Sequence, residues 1–200
     1  MKKVFLMMFI AVLGVASANA QVKVGVTAGL NTSSITGDDV DGVKYKAGFQ
    51  IGVLADYAIT EKFSIIPELN FAQKGAKYEE SEAGVTVTAS LNLNYLTLPI
   101  NAAYKFDVAP DSKLLVFAGP YVGYALSGKV KAGAFSQDIE FGSKEDETNA
   151  LDFGANIGVG YQYTKFFAKL QYNLGLANLS NYDNDATHNS NIAVTVGYLF

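Results

Sequence analysis

Leu151-Asp152-Phe153-Gly154-Ala155-Asn156-Ile157-Gly158-Val159-Gly160-Tyr161-Gln162-Tyr163 decides how this chain reads. Leu151, Phe153, Ala155, Ile157, Val159, Tyr161 and Tyr163 share one parity, and Asp152, Gly154, Asn156, Gly158, Gly160 and Gln162 the other. Successive side chains of a strand point to opposite faces, so unbroken period two means a β-strand with one apolar face. The same alternation runs from Val22 through Val24, Val26 and Ala28 to Leu30. It returns at the end of the chain as Ile192, Val194, Val196, Tyr198 and Phe200.

Working outward, eight strands fit the pattern, over 22–31, 46–58, 63–74, 91–106, 114–127, 150–163, 166–178 and 191–200. Their connections alternate in kind. Those at 59–62, 107–113 and 164–165 are short, whereas 32–45, 75–90, 128–149 and 179–190 are long and polar. Up-and-down strands with short turns on one rim and long loops on the other are the asymmetry of a transmembrane barrel. Val85-Thr86-Val87-Thr88 and the stretch from Val130 to Phe141 keep β character inside two of the long loops. Strands protruding there would offer an edge to another chain. Pro67, Pro99 and Pro120 fall within strands, and a closed barrel has no edge to hide them on, so bulges are expected at all three.

Alternation alone leaves open which face is outside. Glycine decides for the membrane arrangement. Gly25, Gly29, Gly48, Gly52, Gly119, Gly123, Gly154, Gly158, Gly160, Gly175 and Gly197 lie on the polar face, where a narrow barrel needs small residues opposite large ones. On the apolar face Tyr57, Phe63, Tyr104, Phe106, Tyr161, Tyr163, Phe166, Tyr198 and Phe200 all flank the short turns. That is an aromatic girdle at a membrane–water interface. Phe49, Phe71, Tyr124 and Phe153 form a sparser second one. The expected fold is all-β, an eight-stranded antiparallel transmembrane barrel.

The N-terminus reads as an export signal: Lys2 and Lys3, an apolar core from Val4 to Val15, then Ala18-Asn19-Ala20 before Gln21. The expected organisation is therefore a cleaved signal over 1–20 and one barrel over 21–200, destined for the cell outer membrane. A terminal strand ending in Tyr198 and Phe200 is expected to serve as the assembly signal offered to the insertion machinery. The chain has no cysteine and its basic residues are all Lys; beyond residue 20 they number 13 against 19 acids, a balance of −6. Disulfides, thiolate metal sites and nucleic-acid binding are excluded on those grounds.

Lys23, Asp56, Glu68, Lys74, Lys105, Asp152 and Lys169 fall on the inward face. They are expected to form a polar lumen network of paired charges, since an eight-stranded interior is about filled by side chains. The competing reading is a narrow porin-like path for ions or small solutes. The long loops carry Asp38, Asp39, Asp41, Glu79, Glu80, Glu82, Asp138, Glu140, Glu145, Asp146, Glu147, Asp183 and Asp185. Against them stand only Lys44, Lys77, Lys129, Lys131 and Lys144, so a basic surface partner or divalent cations at the loops are further expectations. His188, near Asp183, Asp185 and Ser190, is the sole candidate for a loop-borne lipid-modifying enzyme. No nucleophile motif accompanies it, and no catalytic site, metal or cofactor is expected.

Several stretches carry a family resemblance: Pro67-Glu68-Leu69-Asn70-Phe71-Ala72-Gln73-Lys74-Gly75, Leu93-Asn94-Tyr95-Leu96-Thr97-Leu98-Pro99, Ala118-Gly119-Pro120-Tyr121-Val122-Gly123, Leu151-Asp152-Phe153-Gly154 and Tyr172-Asn173-Leu174-Gly175-Leu176. Together they resemble the porin-family outer-membrane β-barrel domain of Gram-negative envelopes. The resemblance implies the fold and outer-membrane lipids as partners, with no single activity. Members often carry Arg before the Tyr-Asn pair, where this chain has Gln171, so it implies that an interior ion pair is missing there. The expected function is a structural or interaction role through the acidic loops.

Overall fold

The computed structural model describes residues 21–37, 43–82, 85–133, 135–142, 147–179 and 187–200. The expected signal over 1–20, and Asp38, Asp39, Asp41, Lys144, Glu145, Asp146, Asp183 and Asp185, lie outside them. The strands are β1 (Val22–Gly37), β2 (Val43–Ala58), β3 (Phe63–Glu82), β4 (Val85–Ala109), β5 (Ser112–Ala132), β6 (Phe135–Asp138), β7 (Leu151–Tyr163), β8 (Phe166–Gly175) and β9 (Thr187–Leu199). Every strand pairs antiparallel. Eight of them close into a ring in the order β1-β2-β3-β4-β5-β7-β8-β9, with β9 returning to β1. The ninth, β6, pairs among the described residues with β5 alone.

The apolar parity faces outward, as the glycines require. Phe117 and Phe167 point into the lumen and lie over Gly158 and Gly197, where a Cβ would collide with their rings. Outside, Tyr57, Tyr104, Phe106, Tyr161, Tyr163, Phe166 and Phe200 are all exposed. Neighbours in the girdle touch: Phe166 and Tyr198 lie 5.1 Å apart, Tyr198 and Phe200 5.5 Å. On the opposite rim Phe49 meets Phe71 at 6.0 Å. The two tightest turns take left-handed backbone at Asp111 (φ 58°) and Thr164 (φ 51°).

The walls are of unequal height. β3, β4 and β5 have 20, 25 and 21 residues, against 13 and 10 in β7 and β8. The expected loop over 75–90 is therefore mostly a ladder, running from Gly75↔Asn92 to Glu82↔Val85. β1 also outruns its expected end, pairing with β9 as far as Gly37↔Thr187, while β8 stops at Gly175. Long alternating stretches with Val and Thr continue the strand even where charges make them look like loop.

The expected bulges at the prolines are absent, and the reason is geometric. Pro67 keeps its pairing with Ile100 on β4, Pro99 with Tyr121 on β5, and Pro120 with Ala155 on β7. On its other side each faces a stretch where the ladder is open yet resumes in unchanged register. A strand residue directs its N–H toward one neighbour only, so a proline costs one bond on one side and does not force an extra residue into the strand. Register shifts occur elsewhere, between Tyr45 and Gln50, Asn94 and Tyr95, and Asp107 and Ala109.

Candidate functional site: the lumen and its outer mouth

The inward parity of the strands stacks polar and apolar layers from one rim to the other. At the short-turn rim, Asp56 of β2 accepts from Lys105 of β4, and both are buried. Lys23 stands in register with Asp56 but is exposed and, among the described residues, pairs with no acid. Above this pair Leu54, Ile66, Ala103, Phe117 and Leu199 pack into an apolar floor, with Phe167 against it. Lys169 donates to Glu68 beside that floor, its ammonium 5.7 Å from the Phe117 ring and 6.0 Å from Phe167.

The middle of the lumen is an amide belt. Asn156 donates to Asn101 (3.2 Å), Asn173 to Asn156 (2.5 Å), Asn191 to Asn173 (3.3 Å), and Gln171 to Asn173 (3.2 Å). Gln171 thus joins this belt, and the cation of this region is Lys169 on the neighbouring inward position. Over Gly29 of β1, Gln50 donates to Thr195 (2.8 Å), and along β3 Asn70 donates to Glu68 (3.3 Å).

Toward the outer rim Lys74 meets Asp152 at 3.1 Å, both almost fully buried. Asp152 also accepts from the Tyr121 hydroxyl (3.2 Å) and the Asn189 amide (2.9 Å). The Lys74 ammonium sits between two rings, 5.1 Å from Tyr95 and 5.0 Å from Tyr121. A second apolar layer closes over this cluster: Leu93, Tyr95 and Ala125, with Leu91, Ile139, Phe141 and Ala150 packed on them. Ile139 and Phe141 come from the segment after β6, which folds back over the wall at Gly128.

Six of the seven inward charges expected from the sequence therefore stand in three ion pairs, and Lys23 does not. Each pair places full charges out of water, which is tolerated only with close geometry and further hydrogen bonds. Asp152 has those further bonds; one carboxylate oxygen of Asp56 has none. Parity could have named Tyr95, Tyr121 and the four asparagines as well, but amides and rings read as filler without the pairings across the lumen.

Parity also could have named Lys46. It shares the inward face of β2 with Gly48 and Gln50, above Phe49 of the outer girdle, and it is buried. Among the described residues it forms no ion pair and no hydrogen bond. Burial first, and Lys77 second, push its ammonium below the usual lysine range. Nearby, both amide atoms of the buried Asn31 lack a partner.

Outside the barrel, Lys44 pairs with Glu79 and Lys129 with Asp138. The Lys44 ammonium holds the Glu79 carboxyl below the usual glutamate range. Among the described residues no three His, Asp or Glu side chains converge as a metal would need. His188 directs Nδ1 at the Ala177 carbonyl oxygen (2.9 Å), while the Ser190 hydroxyl meets that of Tyr172 (3.2 Å). The two make no Ser–His pair.

Among solved structures the chain is similar to the Neisserial surface protein A, at 14% identity and a TM-score of 0.51, covering 88% of this chain and 97% of that one. It is also similar to Ail, the attachment invasion locus protein of Yersinia pestis, at 15% identity and 0.47, covering 90% and 99%. A third likeness is to OprG of Pseudomonas aeruginosa, at 16% identity and 0.45, covering 89% and 95%. No curated protein sequence matches the chain. A family model, the outer membrane protein beta-barrel domain, matches residues 16–181, most of the chain. With the closed ring of strands and its outward girdles, that match makes this a small barrel protein of the outer membrane, belonging to the outer membrane protein beta-barrel domain family.

Proposed function

We propose that this barrel is closed to ions and acts at its outer face, as an interaction protein presenting a protruding β-sheet. The observation that carries the reading is the unequal wall. About 9–11 residues suffice for a strand to cross the membrane. β3, β4 and β5 run well past that, and their surplus is ordered as a ladder and not as free loop. β6 extends the sheet, pairing Phe135–Asp138 with Lys129–Ala132 and, among the described residues, with no other strand. Its other edge offers main-chain donors and acceptors to an incoming strand, and Phe135, 72% exposed, offers an apolar contact.

The lumen supports the same reading. An apolar floor and an apolar outer layer bracket the ion pairs, and side chains so packed leave ions no hydrated route. A photo-crosslinking residue at Ser136, on the free edge of β6, tests the interaction in living cells. A discrete adduct is expected there and none at Val159 on the lipid-facing wall. Equal patterns at both positions, or no adduct at Ser136, would remove the external sheet as the working surface.

A further inference from the structure

Near the outer mouth the wall encloses a vestibule of about 290 Å³, lined by Ile35, Val43, Ala76, Lys77, Leu91 and Val130 among others. Most of that lining is apolar. The inward positions just below it carry polar groups that no protein atom satisfies. On β1 the inward series descends from Ile35 to Ser33 to Asn31. Lys46 is the β2 partner of Ser33, and Gly48 is the partner of Asn31. Ser33 is occupied, exchanging hydrogen bonds with the backbone of Gly75. Both amide atoms of Asn31 and the side-chain oxygen of Asn191, which faces Ser33 from β9, are without a partner, and Lys46 makes no hydrogen bond or ion pair among the described residues.

Among the described residues no acid pairs with Lys46. Asp56, Glu68 and Asp152 are each taken by another lysine. Among the described residues the charge that acts on it is that of Lys77, of the same sign, in the vestibule wall. Two ammonium groups held close together repel, and a negative charge between them relieves that repulsion. Water could satisfy the Asn31 amide, but water does not neutralise Lys46.

We propose that the vestibule binds a small amphiphilic anion entering from outside the cell. Its carboxylate or phosphate head is held by the Lys46 ammonium and the Asn31 amide N–H, near the positive charge of Lys77. Its apolar body lies against Ile35, Ala76, Leu91 and Val130. This site does not depend on whether the external sheet recruits a partner.

The test uses the refolded full-length barrel with dimethylated lysines, titrated by NMR with benzoate and with phenyl phosphate. Either probe should shift the Lys46 signal saturably, and the stronger of the two identifies the head group. Acetate and inorganic phosphate lack the apolar body, and benzyl alcohol lacks the charge, so each should bind at least about tenfold more weakly. Lys46→Met, read by calorimetry, should weaken benzoate binding by a similar factor, and Lys46→Arg should keep it. Val130→Phe narrows the vestibule without touching a charge and should also weaken it, so the idea stays testable if Lys46→Met does not fold. Absence of saturable binding, benzyl alcohol binding as tightly as benzoate, or a folded Lys46→Met barrel with unchanged affinity would each overturn it.

Discussion

Single residues in this barrel act through what they leave behind. Asp152 is fully buried and accepts from Lys74, Tyr121 and Asn189. Lys74→Met removes the cation paired with it and should cost about 3–5 kcal/mol, because an unpaired buried charge is far worse than none. Adding Asp152→Asn keeps the Tyr121 hydrogen bond and removes the stranded charge, so the double variant should recover most of that loss. Urea unfolding in lipid measures both, and a double variant no more stable than the single one would contradict the pairing. Phe200 is the opposite case. Its ring is 59% exposed, and its N–H donates to the Val24 carbonyl at 2.8 Å. Deleting it should cost at most the roughly 3 kcal/mol of a fully buried aromatic. We propose that its larger role is in assembly, so the deletion should reduce outer-membrane yield in cells far more than stability after refolding. Val159→Asp is the control, since a charge on the lipid face should impair both measurements. Normal cellular assembly without Phe200 would end that proposal.

At the level of elements, the outer part of the β3–β4 hairpin is an extension of the barrel wall. Its ladder keeps one register from Phe63↔Tyr104 through Phe71↔Leu96 to Glu82↔Val85, so shortening it at the tip leaves the pairing at the girdle unchanged. Replacing residues 76–91 by a two-residue Asn-Gly turn should leave a folded barrel that loses the Ser136 adduct. The hairpin's contact with β2 is also sensitive to acid. Glu79 is ionised below the usual glutamate range because Lys44 holds it. A depressed carboxyl pairs fully above its unfolded value and is released as pH falls through the lowered one. NMR titration should therefore show Glu79 losing Lys44 only at distinctly acid pH. Barrel unfolding should barely change over that range, because the pair is exposed and exposed pairs contribute little. The prolines teach a related lesson. Period two placed Pro67, Pro99 and Pro120 correctly within strands, but whether a strand bulges depends on which neighbour its missing N–H would have faced. That is decided by the pairing of three strands at once.

The whole molecule is a ring, and a ring has no frayed edge within the bilayer. Every strand of it is paired on both sides, so the barrel should resist cold detergent and migrate compactly until boiled. Identical mobility with and without boiling would contradict closure. The purified protein should show little or no steady conductance in a planar bilayer, given the two apolar layers across its lumen. Stable openings by the wild-type barrel would restore the narrow-channel reading.

Alternation by itself determined the strands, the inward glycines and the aromatic girdle, because a pleated strand in a membrane has only two faces and only one can meet lipid. It also set Asp56, Glu68, Lys74, Lys105, Asp152 and Lys169 on the inward parity, but it counted Lys23, which stands exposed, and passed over Lys46. It left their partners open, because Lys74 and Asp152 are 78 residues apart and meet only once the ring closes. The unequal walls, the fold-back of Ile139 and Phe141, and the isolation of Lys46 were likewise decided by tertiary structure. Each depends on what stands across a lumen, and a strand's own sequence specifies which way a side chain points, not what it meets.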